Sequence, residues 1–176
     1  MPDATGLELI RAELNDAHPD AVIDTYHRHG QACLIVDAEQ IREILGWLRD
    51  TPGQEYTFLA SVHGVDYLPA EPRFGVHYEL LNMARVERVR VRAELSDPGE
   101  DALPEMPTVS DEWPTADHQE REVYDFFGIV FRDHPDLRRI LMPEDYVGWP
   151  QRRDFPIGGE PVIFTNTERD VPGWYA

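Results

Sequence analysis

Apolar positions along the first half of the chain alternate between two periods. Leu7, Ile10 and Leu14 recur at three- and four-residue intervals, which predicts a helix over 5–17 ended by His18-Pro19. Two apolar runs follow, Ala21–His27 and Gln31–Val36, and the Arg28-His29-Gly30 step between them reads as a hairpin turn. Asp37 is placed to cap a second helix whose inner face carries Ile41, Ile44, Leu45 and Leu48. Thr51-Pro52-Gly53 stops it. Tyr56–Tyr67 reads as a strand in which Gly64 marks either a bulge or a close backbone approach. Phe74–Leu81 is a further strand. Arg88–Leu95 alternates cleanly, with Val89, Val91, Ala93 and Leu95 on one face and Arg88, Arg90, Arg92 and Glu94 on the other. That is a half-buried strand with a solvated Arg row.

From residue 96 the pattern changes. Ten of the 15 prolines fall in 96–176, and a single further helix is predicted, at about 115–127. Beyond Gly128 there is no sustained period, yet large apolar side chains persist: Ile140, Leu141, Tyr146, Trp149, Phe155, Phe164 and Trp174 among them. Ordering nearly fifty such residues costs ~1–2 kcal/mol each for the backbone alone, more than their own burial returns. The tail is therefore expected to be loose in the isolated chain and to find its cover on another one. The expected architecture is α+β: a mostly antiparallel sheet with two packed helices over 1–106, then a third helix and a long extended C-terminal tail over 107–176.

Charge excludes several function classes. The chain of 176 residues has 34 acids against 16 basic residues, for a net charge of −18, and every basic residue is Arg. Such a surface repels nucleic-acid phosphates and anionic headgroups, so neither nucleic-acid binding nor direct membrane insertion is expected. No apolar stretch is long enough to span a bilayer and no leader pattern opens the chain, which reads as a cytoplasmic protein. The lone Cys33 rules out an internal disulfide framework and reads as a buried thiol.

The densest chemistry lies in 117–128. Asp117 and Glu120 fit a capping box, and Gly128 stands where a C-terminal glycine belongs. At 100° per residue Ala116, Glu120, Val123 and Phe127 share a stripe, while His118, Arg121 and Asp125 point the other way. Glu120 on an apolar face needs a partner, and Arg138-Arg139 and Arg152-Arg153 supply candidates. The alternative is a Glu120 at the stripe edge, reaching water. His118, Glu122, Asp125 and His134 superficially suggest a metal set, but His118 and Glu122 face away from the stripe and no second ligand motif accompanies them. His134 precedes Pro135 and reads instead as bridging backbone groups. A phosphate loop, a nucleophile elbow and a Cys pair are all missing.

The run from Glu120-Arg121-Glu122-Val-Tyr124-Asp125-Phe-Phe-Gly through His134-Pro-Asp-Leu-Arg138-Arg139-Ile-Leu141 resembles the signature of the C subunit of proton-pumping NADH:quinone oxidoreductase, respiratory complex I. Met142-Pro143-Glu144-Asp145-Tyr-Val-Gly148-Trp149-Pro150-Gln-Arg152-Arg153-Asp154-Phe155-Pro156 resembles its next block, and Gly64-Val65-Asp66-Tyr67 and Pro107-Thr108-Val109 fit its habits. Gln119 and the Gly148-Trp149-Pro150 step are closer to the related J-subunit branch of plastids and cyanobacteria. The resemblance implies a non-catalytic structural subunit of the peripheral arm, on the cytoplasmic side of the cell membrane, in an enzyme oxidising NADH, ferredoxin or F420H2. It implies no catalytic residue, cofactor or metal in this chain. FMN, iron–sulfur clusters and quinone would belong to partner subunits, namely the large quinone-site (D) subunit and its iron–sulfur neighbours. Glu120, Arg121, Glu122, Tyr124, Asp125, His134, Arg138, Arg139, Trp149, Arg152, Arg153 and Asp154 are the implied interface and structural residues. Two other readings stand beside it: a free-standing binding module whose tail packs on its own sheet, and a small metalloenzyme using His118, Glu122 and His134.

Overall fold

The first helical period builds α1 (Ala4–Ala17), capped by the Asp3 side chain on the Gly6 amide at 2.7 Å and burying Leu7, Ile10 and Leu14. The hairpin forms as β1 (Val22–Arg28) and β2 (Gln31–Asp37) around His29-Gly30, both with positive φ, as a two-residue turn requires. Asp37 caps a short 3₁₀ turn, Ala38–Gln40, that feeds α2 (Ile41–Asp50). Strands β3 (Phe58–Asp66), β4 (Phe74–Asn82) and β5 (Glu87–Leu95) follow. The five strands lie in the order β1-β2-β5-β4-β3, antiparallel except for the β2–β5 pair. This computed structural model describes residues 2–99 and 102–156; Phe164, Trp174 and the rest of the tail beyond Pro156 lie outside them.

One contiguous apolar cluster joins the inner side chains of the sheet to all three helices. The other face of the sheet is polar but not simply solvated. Arg88 is exposed, whereas Arg90 pairs with Glu79, Arg92 pairs with Glu94 at 2.8 Å, and the Tyr67 ring lies 3.9 Å from the Arg92 guanidinium. His77 stacks on His63 there; desolvation first, then the nearby His63, Arg90 and Arg92, pushes its pKa down to about 3. Cys33 is fully buried, and burial raises its thiol to about 11.

Both sheet edges are interrupted. At β1 a bulge interrupts the register at Ile23 and the Asp24 side chain takes the Thr25 amide at 2.8 Å. At β3 the helix α3 (Ala116–Phe127) lies against the strand, and the Gln119 side chain accepts from the Val62 amide. Gly64 is the close approach rather than the bulge, which falls at Ala60: a Cβ on Gly64 would sit 2.7 Å from the Phe127 ring. A pair too short to show a period, β6 (Glu105–Pro107) and β7 (Val130–Arg132), runs parallel beside α3.

Candidate functional site

Helix α3 starts without a capping box. Thr115 occupies the cap position in helical geometry with no side-chain bond, and Glu120 is turned elsewhere. Gly128 closes the helix in the left-handed region, φ 69°, as expected. The stripe Ala116, Glu120, Val123 and Phe127 is buried. Glu120 has no accessible surface, but its partner is not an Arg. Its Oε1 accepts from the Val109 amide at 2.9 Å and its Oε2 meets the Thr108 hydroxyl. Desolvation dominates the opposing pull of those two hydrogen bonds, and its pKa rises to about 7.

Asp125 corrects the helical-wheel reading. The wheel turns it away from the apolar stripe, yet it is fully buried, because the tail crosses that face. Its Oδ2 accepts from three successive amides, Ile140, Leu141 and Met142, at 3.1, 2.7 and 2.8 Å, and Arg139 meets its Oδ1 at 2.8 Å. Desolvation opposes the charge, but those amides and the guanidinium together hold the carboxyl below its ordinary value.

The remaining signature residues fasten the same segment. Arg121 donates to the Arg138 and Arg139 carbonyls at 3.3 Å, and Arg139 reaches the Gly148 carbonyl at 2.9 Å. Arg139 also lies over the Trp149 ring, which Tyr124 meets edge-on at 5.3 Å. A Cβ on Gly128 would be 2.5 Å from Trp149. Arg152 donates to the Phe127 carbonyl at 2.7 Å, and the Arg153 amide donates to Asp66 at 2.9 Å. Asp154 completes a cluster around Arg73, which also pairs with Asp66 and Asp97. His134 bridges backbone as expected: the Asp136 amide donates to Nδ1 at 3.1 Å, while Nε2 faces the Asp117 carbonyl at 3.2 Å. Arg138 pairs only locally, with Asp136, and Glu122 is exposed.

Residues 129–156 find partners on α3 and the β3–β4 connection of their own chain, where the sequence pattern points to another one. The cause is hydrogen bonding without regular ladders: buried side chains, Asp125 above all, satisfy the irregular backbone. His118, Glu122 and His134 are not brought together: His118 is largely exposed and pairs with Asp117, and His134 is buried against α3. Among the described residues no group of three or more His, Cys, Asp or Glu is placed to hold a metal. Sequence reasoning missed Thr108, Arg73 and Asp97. Thr108 and Asp66 lie in the two short upstream matches, but nothing local assigns them partners.

Residues 34–161 match the family described as respiratory-chain NADH dehydrogenase, 30 Kd subunit. The chain belongs to that family. It is 48% identical over 139 residues to the C subunit of the NADH-quinone oxidoreductase of Herpetosiphon aurantiacus, covering 79% of each chain. It is 43% identical over 156 residues to the protein of the same name from Roseiflexus castenholzii, covering 89% of this chain and 87% of that one. Among solved structures it resembles a chain of the membrane-bound sulfane sulfur reductase, an archaeal respiratory membrane complex. That likeness has a TM-score of 0.67 at 26% identity over 85% of each chain. No helix among the described residues is long and apolar enough to cross a membrane.

Proposed function

We propose that the chain is a non-catalytic structural subunit of the peripheral arm of a proton-translocating quinone oxidoreductase. It would support the large quinone-site (D) subunit on the cytoplasmic side of the membrane. The observation that carries this reading is how the signature block is used. Asp125, Arg121, Arg139, Trp149, Arg152 and Asp154 bind backbone, rings or one another, so their charges fix the path of the tail rather than face a cleft. A shaped tail that leaves Leu141 and Val147 exposed suits docking on a neighbour. Co-purification of the tagged chain from membranes is expected to bring down a quinone-site subunit and iron–sulfur subunits, and the partners' identity distinguishes NADH, ferredoxin and F420H2 as donor. Recovery of the chain alone from gently solubilised membranes would overturn the reading.

One observation favours the binding module: 129–156 pack on their own domain, as that reading requires. The two part over the effect of Asp125→Ala, which should abolish co-purification of the complex if the tail's shape serves docking.

A further inference from the structure

Among the described residues every glycine but Gly46 has a reason within the chain. Gly30, Gly53 and Gly99 turn the backbone at positive φ, and an added Cβ on Gly6, Gly64, Gly75, Gly128 or Gly148 would meet a neighbouring atom at 3.3 Å or closer. Gly46 lies inside α2, where a glycine weakens a helix about fivefold relative to alanine. An added Cβ there would meet only Glu112 Oε2, at 3.8 Å. The space left over it is a groove of about 510 Å³. Trp47 and Pro52 give the groove apolar surface, and Glu43, Asp50 and Glu112 give it acids.

The charges around this groove do not balance. Arg42 pairs with Asp111 at 2.6 Å and with Glu112 at 3.2 Å. Arg49 pairs with Asp50 at 2.8 Å and with Glu112 at 3.1 Å. Four acids, Glu43, Asp50, Asp111 and Glu112, thus stand against two guanidiniums, and Glu43 is exposed and forms no ion pair. Elsewhere the chain sets a guanidinium against a ring that is seated over a glycine. Arg92 lies 3.9 Å from the Tyr67 ring over Gly75, and Arg139 lies 4.6 Å from the Trp149 ring over Gly128. Trp113 carries Arg49 at 5.4 Å. Of the three Trp rings among the described residues, Trp47 is the one with no cation over it. It is packed against the core and lines the groove beside Gly46.

We propose that the groove over Gly46 is a docking site for an Arg side chain of a neighbouring subunit, its guanidinium against Trp47 and paired with Glu43. A planar, weakly hydrated guanidinium can stack on an indole while its edge meets a carboxylate, and the missing Cβ lets it lie close on the helix. The excess of acid at the groove favours such a partner over an acidic one. The site rests on the subunit reading above and shares no residue with the tail.

The test recovers the tagged full-length chain from gently solubilised membranes as wild type, Glu43→Arg and Gly46→Leu, and measures the unfolding midpoint of each purified chain. Gly46→Leu should raise the midpoint and Glu43→Arg should move it little. Recovery of neighbouring subunits should nevertheless fall on the order of tenfold in both. Undiminished recovery in both variants overturns the proposal and leaves the subunit reading standing, whereas a wild-type chain recovered alone overturns both. Loss with Gly46→Leu but not with Glu43→Arg overturns the assignment to a cation. A photo-reactive amino acid in place of the exposed Asp50 should cross-link to a neighbouring subunit beside an Arg. A cross-link to a stretch without one, or to a second copy of this chain, overturns the proposal independently of the variants.

Discussion

Two fully buried carboxylates occupy opposite faces of one twelve-residue helix, and their surroundings push them in opposite directions. Glu120 meets one amide and one hydroxyl amid acids, and takes the neutral form more readily than in water. Asp125 meets three amides and a guanidinium, and holds its charge. Burial alone does not set the state of an acid; the number and charge of its donors do. The Glu120 face joins the helix to Thr108 and Val109, the short stretch just after β6. The Asp125 face holds a stretch with no regular structure, where a permanent charge gathers amides that no ladder would satisfy.

The comparison can be broken most forcefully at Asp125. Asp125→Ala strips four donors and leaves Arg139 without its acid, which should cost about 3–5 kcal/mol. Urea denaturation measures that loss, and limited proteolysis should cut within 138–149; an uncut tail would show that Asp125 does not organise it. Gly128→Ala strikes the junction between the two faces. A left-handed alanine driven into Trp149 should cost about 2–3 kcal/mol, read as a fall in the midpoint of thermal unfolding.

Acid and base then separate the two carboxyls. Asp125 contributes stability that is present above its unfolded value near 4 and lost as pH falls through its lower folded value. Glu120 works in the other sense, so the wild type should lose stability between about pH 4.5 and 7 where Glu120→Gln does not. The shift from 4.5 to about 7 makes Glu120→Gln more stable than wild type at pH 8 by up to about 3 kcal/mol. Denaturant titrations at pH 5 and pH 8 check the sign. Smallest of all, Asp117→Asn changes an acid that pairs only with the exposed His118, and should move stability by under ~0.5 kcal/mol.

Glu120 and Asp125 also mark how far the sequence could be read. The inward turn of Glu120 follows from helical spacing, because its cover is the regular apolar core. The wheel misplaces Asp125 because its cover is 15 to 17 residues away in a segment without a period, and no wheel counts a wrap. Glu120's partner is misread for a related reason. Arg138 and Arg139 stand out by charge, whereas Thr108 and the Val109 amide are inconspicuous in a sequence. The sheet is legible, since alternation in Arg88–Leu95 and turn residues at His29-Gly30 are local signals. The Arg73 cluster is not, since it joins Asp66, Asp97 and Asp154 from three separate segments.

The interrupted sheet edges set how this chain can live among others. With a bulge and the Asp24 side chain on the Thr25 amide at β1, and Gln119 on the Val62 amide with α3 along β3, each margin is interrupted where a stray strand would have to pair. Neighbours must recognise it by side chains. A newly made copy waiting at high concentration for its place in an assembly is thereby kept from zipping onto its own kind.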